Sequence, residues 1–142
     1  NIKRGENLSI VHPVNLYGCE FGKNCFVGPF VEIQNNVKIG DNTRVSSHTF
    51  ICSKVIIGND CFIGHGVMFV NDLFKENQRA GDKDKYLKTC IGNKVNIGSN
   101  ATILPVNICD NVTIAAGAVV TKDISISGSY IGNPAKLSKS YK

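Results

Sequence analysis

The dominant pattern along the chain is an apolar side chain at every sixth position. It runs through Phe21, Val27, Ile33, Ile39, Val45, Ile51, Ile57, Ile63 and Phe69 without a slip and resumes at Ile91, Ile97 and Ile103. One residue is then lost, and the spacing continues at Ile108, Ile114 and Val120. Four residues after an anchor comes a second compact side chain, as at Cys25, Val31, Val37, Thr43, Thr49, Val55, Cys61 and Val67. An amphipathic helix repeats its apolar positions at three and four residues and a half-buried strand at two, so neither explains a period of six. Three such edges make an 18-residue coil of triangular section, with each anchor pointing inward and the compact residue filling the corner beside it. No coil buries its face alone, so stability comes from stacking, and stacked coils pair as parallel strands ~4.8 Å apart. The predicted fold class is all-β: a parallel β-helix of hexapeptide repeats forming one domain, residues 1–142.

Glycine often follows the anchor, at Gly22, Gly28, Gly40, Gly58, Gly64, Gly92 and Gly98. Tolerance of positive φ and close backbone approach both account for glycine near a bend. The period fails between Phe69 and Ile91, where Val70–Cys90 carries nine of the 27 charged residues (16 Lys and Arg plus 11 Asp and Glu). Its Asp82-Lys83-Asp84-Lys85 run is too polar for a coil, which predicts one long loop extruded at about 70–90. Loops of that length in compact domains are usually functional or disordered. Function is favoured here, because the loop leaves the helix where histidines lie.

The 18-residue period also says which polar side chains meet. His48 is the fourth residue of the hexad beginning at Val45, and His65 the third of the hexad beginning at Ile63, so both occupy one corner of adjacent coils. Asn71 and Asp72 begin the loop at the next corner, above Ser53-Lys54 and Asn35-Asn36. Exposed corners are polar in any β-helix, and that suffices to explain Asn36 or Lys54 alone. The histidine pair favours a site.

Composition narrows the function. Apolar residues make up 42% of the chain, enough for a continuous core. No run approaches the ~18 apolar residues of a membrane span, and the polar start Asn1–Asn7 has no signal-peptide character. The expected location is cytoplasmic. The net charge of +5 is scattered, which argues against nucleic acid and suits a small polyanion. The six cysteines lack C-x-x-C spacing and read as reduced, mostly buried thiols, with Cys25 and Cys61 as core filler. His12, His48 and His65 do not provide a three-histidine zinc arrangement, so no metal is expected.

The anchor-glycine repeat, from about Ile10 to Lys136, resembles the bacterial hexapeptide-repeat transferases. The resemblance implies coils that wind left-handed, against the usual crossover hand. Ile63-Gly64-His65-Gly66-Val67-Met68-Phe69-Val70-Asn71-Asp72 and Glu32-Ile33-Gln34-Asn35-Asn36-Val37 are similar to segments of N-acetyltransferases acting on 3-amino sugars linked to UDP or dTDP. That family works as a homotrimer with active sites between subunits. The resemblance implies catalytic roles for Asn71, His65 and His48, with Asn71 approaching the sugar amine, and substrate contacts from Asp72, Glu32 and Asn36.

Ile97-Gly98-Ser99-Asn100-Ala101-Thr102-Ile103 resembles the place where galactoside and maltose O-acetyltransferases carry their catalytic histidine, and here that position is Asn100. A hydroxyl needs a general base to attack a thioester; a sugar amine neutral near pH 7 does not. Asn100 thus favours nitrogen, although His48 or His65 can replace the missing base. Ile114–Ile124, with Ala115, Ala116, Gly117 and Lys122, and Gly132-Asn133-Pro134-Ala135-Lys136 match the family's acetyl-CoA end, and the resemblance implies that Asn100 also contacts the cofactor. Its small residues would let pantetheine lie against the backbone, and Lys122 and Lys136 would meet the phosphates. Coil packing and solvation are the alternatives for these alanines and lysines. The chain departs from the family where a glycine after Pro105 is missing and Cys109 takes a customary glycine position, which predicts a distorted corner near the CoA groove. The expected function is acetyl transfer from acetyl-CoA to a nucleotide-linked amino sugar, in surface-polysaccharide or related glycan synthesis. O-acetylation of a small hydroxyl acceptor and a non-catalytic scaffold are the rivals. No membrane or nucleic-acid partner is expected.

Overall fold

Every anchor from Phe21 to Val120 is buried, and so is each compact residue four positions after an anchor from Cys25 to Val67. The computed structural model, which describes residues Asn1–Tyr141, stacks them into the core of a three-faced parallel β-helix. The first face holds Ser9–Ile10, Phe26–Val27, Arg44–Val45, Phe62–Ile63, Asn96–Ile97 and Val112–Ile114 and ends in the strands Gly128–Ile131 and Lys136–Ser140. The second holds Asn15–Leu16, Glu32–Ile33, Phe50–Ile51, Met68–Phe69, Thr102–Ile103 and Val119–Val120. The third holds Glu20–Phe21, Lys38–Ile39, Val55–Ile57, Thr89–Ile91 and Asn107–Ile108. Val45 pairs with Ile63, and Ile63 with Ile97, so the pairing steps over the inserted loop without losing register. Each fully buried aliphatic anchor contributes about 1.5–3 kcal/mol by leaving water, and stacking makes that contribution continuous along the axis.

The corners revise one expectation about glycine. The left-handed residue falls two positions after the glycine that follows an anchor, and is seldom glycine itself. Asn24, Asn42, Asp60, Lys94 and Asn111 hold it between the third and first faces, and Phe30, His48 and Asn100 between the first and second. Asparagine and aspartate adopt this conformation more readily than other L-residues. The glycine after the anchor answers to close approach instead. A Cβ on Gly58 would stand 2.6 Å from the Gly92 carbonyl oxygen, and one on Gly98 2.8 Å from the Ala115 carbonyl carbon.

Side chains then stitch coil to coil. Asp41 Oδ1 accepts from Lys23 N, Asn59 Oδ1 from Asp41 N, and Asn93 Oδ1 from Asn59 N, each at 2.8 Å. Inside the same corner, Cys25 Sγ donates to Gly40 O (3.0 Å), Thr43 Oγ1 to Gly58 O (3.0 Å) and Cys61 Sγ to Gly92 O (3.1 Å). Cys25 and Cys61 thus fill the core, as expected, and burial pushes both thiols up. All six cysteines are free.

The residue missing near Pro105 shortens only the corner Leu104–Val106, which has no left-handed residue. Ile108 still pairs with Ile91, and Ile114 with Ile97, so the expected distortion stays local. At the far end, Val119 N donates to Gly132 O (3.0 Å) and Ala135 N to Val119 O (2.8 Å). These bonds lay the turn of the terminal hairpin across the last strand of the second face. Lys136 and Lys139 lie in the closing antiparallel strand, where charge discourages further strand addition. No helix among the described residues is long and apolar enough to cross a membrane.

Candidate active site on the second face

Two corners border the second face, and each gathers one set of the residues singled out from sequence. At the corner entering it, Gly66 N donates to Ser47 O (3.0 Å), Asn100 N to His65 O (2.8 Å) and Gly117 N to Ser99 O (2.9 Å). His48 and His65 therefore sit on adjacent coils of one edge, as predicted, and both are exposed. His48 also has Phe30 one coil below, with ring centroids 5.0 Å apart. Asn100 follows one coil above His65, and Ala115, Ala116 and Gly117 one further, beneath the turn that contains Pro134. The edge is thus a ladder of ring, amide and bare backbone, sparsely covered at the end expected to take the pantetheine arm. Nothing would meet a Cβ on Gly117 within 4 Å, so that stretch of backbone is open.

At the corner leaving the second face, the loop is tied down by its own first residues and by the coil beneath. Asn71 Nδ2 donates to Ser53 O (3.2 Å) and Ser53 Oγ (3.0 Å), and Leu87 N donates to Asn71 O (2.9 Å), closing the neck. Lys54 Nζ donates to Lys83 O (2.9 Å) and Tyr86 O (3.1 Å). Asp72 accepts from Phe74 N (3.0 Å) and Ala80 N (2.8 Å), so both its carboxylate oxygens organise the loop. Between the loop and the second face lies a hollow of about 340 Å³ bordered by Gln34, Phe50, Val70, Asn71, Phe74 and Tyr86. A larger, open hollow of about 600 Å³ is lined by loop residues between Asp72 and Leu87 alone. The smaller joins Asn71 to the helix.

The remaining predicted residues are more dispersed. Glu32 projects from the second face, half-buried, and accepts from Asn15 Nδ2 at 3.2 Å. Asn36 is exposed two coils below the loop, in the left-handed conformation. Lys122 and Lys136, both exposed, do not share a corner: Lys122 follows the last strand of the second face, whereas Lys136 opens the closing strand beside Ile131. The largest separation lies between the two sets. Six residues of extended edge run from His65 to Asn71, up to about 20 Å. Within one chain the histidines and Asn71 border the same face from opposite sides and do not meet. Ser53, Gln34, Phe50 and Tyr86 were not singled out from sequence; the period had already placed Ser53-Lys54 beneath Asn71-Asp72. Among the described residues no group of three or more His, Cys, Asp or Glu is arranged to hold a metal.

Two family models match the coils: the bacterial transferase hexapeptide over residues 18–53, and the hexapeptide repeat of succinyl-transferase over 54–68 and 88–122. The chain belongs to the hexapeptide-repeat transferases. The unmatched interval between 68 and 88 is the extruded loop, and the fold is the left-handed β-helix of this family. The bifunctional protein GlmU of Streptococcus uberis is 36% identical to this hexapeptide-repeat chain over 128 residues, covering 86% of it and 24% of GlmU. The chain thus spans about a quarter of the length of that relative. A histidine-to-alanine mutant of GDP-perosamine N-acetyltransferase from Caulobacter crescentus, solved with CoA and GDP-perosamine, superposes with a TM-score of 0.77 at 22% identity, over 92% of this chain and 57% of its own. A galactoside acetyltransferase solved with CoA superposes with a TM-score of 0.71 at 27% identity, over 94% and 65%.

Proposed function

We propose that this hexapeptide-repeat protein transfers the acetyl group of acetyl-CoA to the amine of a nucleotide-linked amino sugar in glycan synthesis. The observation that carries the reading is the occupancy of the histidine edge. Asn100 stands one coil above His65, at the position where the resemblance to O-acetyltransferases expects their base. A carboxamide cannot take a proton from a hydroxyl, whereas a neutral amine needs no such help. The Caulobacter structure, with CoA and a nucleotide-linked amino sugar bound to the same fold, supports this choice of substrates.

In this reading the pantetheine arm lies along Ala115, Ala116 and Gly117 under the turn at Pro134, and Lys122 and Lys136 serve its phosphates. The amine attacks the thioester carbonyl; the C–N bond forms and the C–S bond breaks. Backbone amides at the corner hold the oxyanion, and the departing thiolate, with a pKa near that of cysteine at ~8.5, takes the surplus proton. The separation of the two edges within one chain, up to about 20 Å, supports a homotrimer in which the histidine edge of one copy faces the Asn71 corner of the next. His48, His65, Asp72, Glu32 and Asn36 then surround the sugar nucleotide. The test is release of CoA from acetyl-CoA with a panel of UDP-, dTDP- and GDP-linked amino sugars. Turnover on at least one amine is expected. Turnover on simple sugars with none on any amine transfers the reading to O-acetylation.

A further inference from the structure

From the Ser53-Lys54 corner we infer that a clamp fixes which end of the Asn71 carboxamide faces the acceptor, making Ser53 and Lys54 positioning residues that select amine over hydroxyl. The inference deepens the proposed function and rests on its placement of Asn71 beside the acceptor.

The Ser53 backbone carbonyl can only accept a hydrogen bond, so the group facing it at 3.2 Å must be the amide nitrogen of Asn71. The second hydrogen of that nitrogen goes to Ser53 Oγ at 3.0 Å. Both donor positions are consumed at the corner, and Oδ1, which accepts no hydrogen bond among the described residues, is the end left for a ligand. Ser53 is itself held, its backbone N donating to Gln34 Oε1 at 3.1 Å, and it is buried. Lys54 fixes the other side of the loop through the carbonyls of Lys83 and Tyr86, while its own carbonyl accepts from Thr89 N at 3.1 Å. Two hydrogen bonds to Ser53 therefore set how Asn71 is turned, and three made by Lys54, with Lys83, Tyr86 and Thr89, hold the loop beside it.

The chemical consequence is selective. A neutral amine has two N–H groups and a lone pair, so it can donate to Asn71 Oδ1 and keep the lone pair for the thioester. A hydroxyl bound the same way spends its only hydrogen on a group that is not a base and gains no nucleophilicity.

The experiment compares Lys54→Met, Lys54→Arg and Ser53→Ala with wild type in two measurements. Amide hydrogen exchange at Leu87 and Thr89 reads the loop directly, without turnover. Steady-state kinetics separate kcat for the amine from the KM for acetyl-CoA. Lys54→Met should speed exchange at both amides ~10-fold and lower kcat ~10-fold with the acetyl-CoA KM unchanged, and Lys54→Arg should recover most of both losses. Ser53→Ala should leave exchange near wild type and lower kcat about fivefold, as expected for one lost hydrogen bond. Wild-type exchange in Lys54→Met overturns the clamp. Faster exchange with unchanged amine kcat, or losses confined to the acetyl-CoA KM, overturn the positioning role. A wild-type protein inactive on every amine sinks the proposed function and the selection of amine, whereas the exchange data still decide the clamp.

Discussion

The two explanations for corner glycine make separable predictions. At Gly40 a Cβ would stand 2.6 Å from the Gly58 carbonyl carbon, against an ordinary contact distance of at least 3.4 Å. Relief requires the next coil to move by roughly 0.8 Å, the same order as the overpacking shifts that cost ~1–3 kcal/mol. That movement also strains the Gly40 N to Ile57 O bond (2.9 Å) and the Asp41 N to Asn59 Oδ1 bond (2.8 Å), adding about 1 kcal/mol. Part is returned because alanine lowers the entropy of the unfolded chain by ~0.4–1 kcal/mol. The net expectation for Gly40→Ala is a loss of about 1–3.5 kcal/mol. Gly117 presents the opposite case, with φ of +70° and nothing within 4 Å, so Gly117→Ala pays only the left-handed conformation, ~1–2 kcal/mol before the same entropic return. Gly81→Ala, in open space in the loop, should be neutral or slightly stabilising. Urea unfolding followed by circular dichroism measures all three. A Gly117→Ala loss as large as that of Gly40→Ala would refute close approach as the reason for the repeat's glycines.

Thr43→Val removes the hydroxyl that donates to Gly58 O and accepts from Cys61 N (3.1 Å), leaving a buried N–H unpaired; it should cost about 1–3 kcal/mol in the same urea assay. Thr43→Cys keeps the donor in the manner of Cys25 and Cys61 and should cost less than half as much as Thr43→Val. Burial raises Cys19, Cys25 and Cys61 above the usual thiol value and pushes Cys52 up to about 12. A raised folded-state pKa gives stability that is whole below pH ~9 and declines above it, as the unfolded chain loses its thiol protons. The stability difference between wild type and Cys52→Ala should therefore stay flat to about pH 8 and move by roughly 2–3 kcal/mol by pH 11. A difference independent of pH across that range would contradict the burial argument.

The coil geometry was legible because the period is enforced by packing: each anchor has one inward direction, and coil pairing keeps the next one buried even where a residue is lost between Ile103 and Ile108. His48 and His65 fell on one edge for the same reason, as did Asn71 above Ser53. Asp72 was legible as a neighbour of Asn71 and not as a loop organiser, since its partners Phe74 and Ala80 lie inside the aperiodic segment, where no register predicts contacts. The roles of Lys54 and Tyr86 were hidden likewise. The missing glycine after Pro105 was visible and alters the one corner expected, while pairing of Ile91 with Ile108 holds the next edge in place whatever that corner does. The separation of Lys122 from Lys136 follows from the terminal hairpin, an antiparallel element with no hexapeptide signal.

The most direct measurement uses a matched pair of acceptors: a nucleotide-linked 3-amino sugar and the identical sugar nucleotide with a hydroxyl at that carbon. CoA release is followed for wild type and for the His48→Ala, His65→Ala double variant. The account predicts acetylation of the amine partner, with the double variant keeping activity within about tenfold of wild type. Preferential acetylation of the hydroxyl partner, lost by ~100-fold or more in the double variant, would contradict it.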